Sequence, residues 1–222
     1  NVLTLKIFRW STGSYLECQD FWRISGIERD VYLYSQPKVA IKDFRITSTL
    51  DDTYKNGIFK LTMDIRNTGS QTSKDYIIGY KVFDPKTNKV IAESEKNSAF
   101  NANSTISLFG HTEIEIPDVK TWTSEHPNLY KLLMYIKDGE KIVEMVPFNI
   151  GFRRIEIKPI EQKAANGQPY VCLFINGQPL KLKGVNIHEH NPATGHYVPE
   201  DLMRRDFELM KRHNLNSVRL CH

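Results

Sequence analysis

The chain has 222 residues, 40% of them hydrophobic and 25% charged, and 30 Lys and Arg against 26 Asp and Glu leave a net charge of +4. Charge this balanced, with no block of one sign, excludes a basic face for nucleic acid and a charged disordered tail, and no apolar run approaches the ~20 residues of a membrane helix. The length allows one or two ordinary domains and falls short of the ~250 residues typical of a closed (β/α)8 barrel.

In chain order, strand signals come first. Residues Val2–Trp10 place Leu3, Leu5 and Ile7 at period two, and Val31–Tyr34 is β-branched and aromatic, so both segments are expected to be strands. Asn1 opens inside the first of them without an initiator Met or a signal peptide, so the sequence reads as a processed or excised piece whose compartment is not legible. Between the two lies SYLECQDFWRISGIERD, unusually rich in aromatic and charged residues for a loop. Pro37 then marks a boundary.

From Lys38 to about Gly151, seven strand-like segments alternate with turn chemistry: 41–47, 59–66, 76–83, 89–94, 112–116, 129–137 and 142–148. Phe59, Leu61, Met63 and Ile65 alternate most cleanly. Asn67-Thr68-Gly69 and Asp84-Pro85 punctuate the run, and Asp138-Gly139 predicts a type I′ hairpin because Gly supplies positive φ. This is the rhythm of an immunoglobulin-like sandwich, held here without a cysteine pair. The three cysteines, Cys18, Cys172 and Cys221, are too scattered for a disulfide framework and read as small buried residues.

After Gly151 the pattern changes. Strands are expected at Arg154–Lys158 and Tyr170–Ile175, a second hairpin turn at Asn176-Gly177, and a strand over Leu180–Ile187 leading into the polar loop HEHNPATGHY. Pro199, Glu200 and Asp201 open a helix of about four turns, the two acids lying in its positive first turn. Its stripe of Leu202, Met203, Phe207, Leu209 and Met210 is expected to face a core. Asn214 ends the helix, and Ser217–Cys221 is another strand. Strand, helix, strand makes a βαβ unit with parallel strands.

Parallel sheets gather chemistry at the carboxyl ends of their strands. One such end carries Asn186-Ile187-His188-Glu189-His190-Asn191, the other Arg219-Leu220-Cys221-His222. Neighbouring strands lie ~4.8 Å apart, close enough for His188 and His222 to share a pocket. His188 and His190, two apart and on one side of an extended chain, also have the spacing of two metal ligands, though no HExxH, CxxC or obvious third ligand accompanies them.

Five stretches then carry a resemblance: 14–33 (SYLECQDFWRISGIERDVYL), 121–130 (TWTSEHPNLY), 151–157 (GFRRIEI), 184–192 (GVNIHEHNP) and 214–222 (NLNSVRLCH). In this order they resemble the family 2 glycoside hydrolases, and their bacterial β-galactosidase members most of all. Glu28 and Cys221 depart from the usual aromatic and small residue at those places. The resemblance implies a multidomain β plus α/β architecture. Residues 1–37 would be the edge of a jelly-roll sugar-binding domain, 38–152 an immunoglobulin-like sandwich, and 153–222 the first βαβ of a TIM barrel.

It implies further that Asp20 reaches the barrel mouth, contacts sugar hydroxyls and helps hold a sodium ion. His188 and His222 would hydrogen-bond the sugar, and Arg219 would lie at the pocket floor, keeping a neighbouring carboxylate ionised. Glu189, His190 and Asn191 would form the rim. The catalytic pair of Glu residues would belong to later barrel strands, so the 222-residue chain alone is expected to be inactive. The expected partner is a β-galactoside or related carbohydrate, with sodium and magnesium as ions of the full-length enzyme and room for a homo-oligomer. The competing readings are a non-catalytic scaffold or carbohydrate-binding module and a sister enzyme, β-glucuronidase or β-mannosidase. A βαβ unit with His188, Arg219 and His222 at its strand ends speaks against the module.

Overall fold

A computed structural model describes residues 2–16, 22–27, 29–110 and 113–220. Contacts divide it into two units, one running from Ser35 to Leu180 and the other built from segments within 1–34 and 181–222.

The larger unit is dominated by eight strands: β1 (Val39–Leu50), β2 (Gly57–Asn67), β3 (Tyr76–Phe83), β4 (Val90–Ser98), β5 (Ser104–Leu108), β6 (Glu113–Ile116), β7 (Tyr130–Asp138) and β8 (Lys141–Ile150). All seven expected segments are strands, and β5 is an eighth that the polar sequence STISL conceals. One sheet runs β1-β2-β5 with β6 also on β2, and the other runs β4-β3-β7-β8. Each pairing is antiparallel. The inward faces form one core. Phe59, Leu61, Met63 and Ile65 of β2 are buried, as their alternation predicts, with Ile78, Tyr80 and Val82 of β3 and Leu132, Met134 and Ile136 of β7. Tyr80 meets Phe109 edge-on at 5.3 Å, and Tyr130 meets Phe152 at 5.2 Å, arrangements that suit the ring quadrupoles.

Turn chemistry sets the register, with one correction. Asp138 pairs with Lys141, so the β7–β8 loop is Gly139-Glu140. Only Gly139 has positive φ, +57°, which is the type II′ pattern rather than the expected I′. The Asn176-Gly177 hairpin is as expected: the loop has two residues, with φ of +48° and +77°.

Asn67 is a polar residue buried in the core, at the end of β2. Its Nδ2 donates to the carbonyls of Gln71 (3.0 Å), Phe100 (2.9 Å) and Asn101 (3.2 Å), and its Oδ1 accepts from Gly69 N–H at 2.8 Å. A buried amide so fully partnered clasps two loops together and holds Phe100 in the core.

Beyond β8 the chain adds β9 (Ile155–Lys163), β10 (Pro169–Ile175) and β11 (Gln178–Pro179), a small antiparallel sheet. Asp51 shapes the β1–β2 turn by accepting from Lys55 N–H (3.0 Å) and Asn56 N–H (3.2 Å), and this turn carries Tyr54 to the sheet. The Tyr54 hydroxyl donates to Glu156 at 2.8 Å and accepts from Lys158 at 2.7 Å, while Arg154 reaches Asp52 at 2.6 Å. Lys158, then the Tyr54 hydroxyl and Arg154, hold the Glu156 carboxyl below its ordinary range. A Cβ at Gly177 would lie 2.7 Å from the Tyr54 ring, so this turn position requires glycine for space as well as for φ. Asn176 accepts from Arg154 N–H at 2.9 Å and donates to the Trp122 carbonyl at 3.0 Å. Cys172 of β10 is half-buried and unbridged.

The smaller unit differs more from expectation. Neither 2–10 nor 31–34 is a strand, and Leu3, Leu5 and Ile7 are each more than half exposed. An alternating pattern is stable as a strand only with a ladder partner, and none of the described segments pairs with these. A short helix, α1 (Thr12–Leu16), follows instead. Ser11 N–H donates to the Ser14 hydroxyl at 3.1 Å, a hydroxyl variant of the capping box.

Later come β12 (Gly184–Ile187), α2 (Glu200–Arg212) and β13 (Ser217–Leu220). β12 and β13 pair in parallel, Asn186 opposite Arg219, so the βαβ unit is present. α2 ends in a Schellman motif: Asn214 has φ +60°, its N–H donates to Lys211 O at 3.0 Å, and Leu215 N–H donates to Met210 O at 2.9 Å. The helix stripe is not buried. No residue of α2 is, and Phe207 and Leu209 are exposed, because the two-stranded β12–β13 sheet offers too little surface to cover them.

Candidate functional site

The site lies within the smaller unit, where β12 ends. His188 follows β12 directly and is exposed, and Arg219 stands exposed on β13 opposite Asn186. Asp20 and His222 lie outside the described residues, as do Cys18, Glu28 and Cys221.

After β12 the chain turns sharply. His190 N–H donates to the His188 carbonyl at 2.9 Å, a three-residue turn that brings the two imidazoles to 5.4 Å with only 12° between their planes. His190 stacks on Trp22 at 4.4 Å and 10°, and on His196 at 5.2 Å and 20°; Trp22 and His196 are 6.0 Å apart. Four near-parallel rings, three from one loop and one from a segment more than a hundred residues earlier, thus form a continuous cluster. Burial first, then the imidazoles of His196 and His188, push His190 below its ordinary pKa.

Two further contacts join the same segments. Arg29 pairs with Glu189. Gly195, at φ +72°, lets the loop approach Ile24, whose Cδ1 would lie 3.0 Å from a Cβ there. The loop is itself a closed structure. Asn191 and Gly195 exchange backbone hydrogen bonds at 2.8 Å each, Asn191 Oδ1 accepts from Ala193 N–H at 2.8 Å, and His196 and Val198 are buried.

The two imidazoles of the HEH tripeptide are near-parallel, 12° apart with centroids 5.4 Å from each other. Among the described residues, no three His, Cys, Asp or Glu side chains are grouped to hold a metal. What the geometry offers is a cluster of imidazoles whose edges can donate and accept hydrogen bonds, with the donor-only guanidinium of Arg219 exposed on the neighbouring strand.

The sequence motifs point to the HEH tripeptide but not to Trp22 or His196, the rings that stack on it; the one signal for Trp22 is the aromatic density of its loop.

A family model described as glycosyl hydrolases family 2 matches residues 39–153. The family's sugar binding domain matches 1–37 and its TIM barrel domain 171–222. A curated beta-galactosidase from Priestia megaterium is 38% identical over 225 residues, covering 100% of this chain and 20% of that protein. One from Streptococcus thermophilus is 36% identical over 222 residues, covering 100% of this chain and 19% of that protein. This chain thus spans about a fifth of the length of the curated relatives it matches. Among solved structures, a Bacteroides uniformis beta-glucuronidase superposes with a TM-score of 0.78 at 21% identity, over 91% of this chain and 24% of that one, a likeness of fold.

Proposed function

The chain belongs to glycosyl hydrolase family 2, and on that premise we propose that it forms part of a retaining glycosidase acting on terminal β-D-galactosides. The observation that carries this reading is the similarity to curated beta-galactosidases along the whole chain, at 38% identity in one and 36% in another. The family domain boundaries 1–37, 38–152 and 153–222 belong to the same proposal.

Retaining glycosidases use two carboxylates ~5–5.5 Å apart, one donating a proton to the leaving oxygen and the other attacking the anomeric carbon. In this reading both Glu residues are supplied by the whole protein outside this chain, which contributes the sugar-binding wall. His188 and His222 hydrogen-bond ring hydroxyls, and Asp20 reaches toward the same sugar. Arg219 is a fixed cation that keeps a neighbouring carboxylate ionised and ready to attack. A sodium ion at Asp20 and magnesium elsewhere belong to the full-length enzyme. The described residues assemble no cation cage, so no step is routed through either ion.

The test is hydrolysis of nitrophenyl glycosides by the full-length protein. The expected result is turnover of the β-galactoside well above the β-glucuronide and β-mannoside, with none by the 222-residue chain alone. His188→Ala and His222→Ala should lower kcat more than they raise KM, because contacts to a sugar flattening toward an oxocarbenium ion strengthen in the transition state. Preference for the glucuronide would transfer the reading to the sister enzyme, and no turnover of any glycoside would favour a binding module.

A further inference from the structure

His188 follows a short strand and is exposed, on a side chain with two rotatable bonds. An imidazole that must meet a sugar hydroxyl has to be held within about 0.5 Å and 10–20° of its working geometry, and the ring cluster contributes to that restraint. The turn closed by the 2.9 Å hydrogen bond from His190 to the His188 carbonyl sets the two rings at 5.4 Å, and Trp22 lies 4.4 Å from His190 at 10°. Arg29, from the same segment as Trp22, also pairs with Glu189 between them.

We propose that Trp22 and His190 are positioning residues, a stacked pair that orients the His188 imidazole for its hydrogen bond to the sugar. This inference rests on the reading of His188 as a sugar contact. An aromatic residue near a sugar site is often itself a platform for the sugar, but here Trp22 is stacked on His190 and faces His196 at 6.0 Å. Its large plane restrains His190, and His190 restrains His188. The pair acts on the rate through a neighbour, so its removal should appear in turnover and not in ground-state affinity.

The experiment is a double-mutant cycle in the full-length protein, with a nitrophenyl β-galactoside as substrate. Trp22→Leu should lower kcat by about tenfold with little change in KM, as expected for a misplaced catalytic contact. Trp22→Phe, which keeps a stacking ring, should recover most of the loss. In a His188→Ala background, Trp22→Leu should cost no more than about twofold, since there is then no ring left to orient. An equal loss in both backgrounds overturns the proposal, and so does a rise in KM at constant kcat, which would make Trp22 a sugar platform. The His188 imidazole signal, followed by NMR with labelled histidine, separates this inference from the reading beneath it. If His188→Ala leaves turnover unchanged, the sugar contact is wrong. The stack then stands as the support of His188 if Trp22→Leu displaces that signal, and falls if it does not.

Discussion

Replacing Asn67 by Ala removes one side chain and four hydrogen bonds: the three from its Nδ2 to the carbonyls of Gln71, Phe100 and Asn101, and the one its Oδ1 accepts from Gly69. A typical intramolecular hydrogen bond is worth about 1 kcal/mol net, and a buried polar group left without a partner costs about 1–3 kcal/mol. Three acceptors share two N–H groups, so one bond is divided, and water entering the vacated space will satisfy part of what remains. The expected loss is about 3 kcal/mol, a large fraction of the ~5–15 kcal/mol that holds a domain together. Asn67→Asp provides the stricter test. Asp retains an acceptor for Gly69 N–H but places a carboxylate against three carbonyl oxygens in a buried setting, so it should be less stable than Ala despite being nearly isosteric. Urea unfolding of the chain, followed by tryptophan fluorescence, gives both values from the midpoint and slope. A loss below about 1 kcal/mol for Ala, or an Asp variant more stable than Ala, would refute the claim that the amide donors carry the clasp.

Three other outcomes follow from the geometry. Gly79→Ala would place a Cβ 2.6 Å from the Tyr135 ring, which is buried and hydrogen-bonded to Glu95 at 2.7 Å, so thermal unfolding should show a loss of about 1–3 kcal/mol; an unchanged melting temperature would mean the ring moves aside freely. Limited proteolysis with mass spectrometry should leave a protected fragment ending near Leu180, because the Tyr54, Glu156 and Lys158 contacts bind β9–β11 to the sandwich; cleavage beginning at Arg153 would contradict them. His190 titrates below its ordinary value, so the unfolded loop binds the proton more readily than the folded one. Stability from this group is therefore complete above the ordinary histidine value and is lost as pH falls through the lowered one, and the protection of amides in residues 188–198, measured by hydrogen exchange relative to the intrinsic rate at each pH, should fall with acidification over that window while the β2 and β7 amides keep theirs.

The core strands were legible because each carries its own evidence. Phe59, Leu61, Met63 and Ile65 alternate in sequence and are buried in space, with no further information needed. β5 was not legible, since Ser104–Leu108 is short and half polar and becomes a strand only because β2 offers it an unpaired edge. The error at Val2–Trp10 is the converse, a strand pattern without a partner. In the candidate site, the strand that His188 follows and the strand that carries Arg219 could be read from the sequence. The Trp22 stack could not, because it joins residues far apart in sequence and no periodicity records which loop meets which.

β2 serves three ladders: β1 along its length on one edge, and β5 and β6 in succession on the other. The β1–β2 connection is a six-residue turn, whereas β5 and β6 return from roughly forty residues further on. Loop-closure entropy favours the short connection first, so the β1–β2 hairpin is the expected early structure and its free edge the template on which the later strands assemble. Until they arrive, a strand whose inner face is Phe59, Leu61, Met63 and Ile65 presents an open edge to solvent. The interval between hairpin closure and β5 docking is therefore the stage of folding at which this chain is most exposed to pairing with another copy of itself.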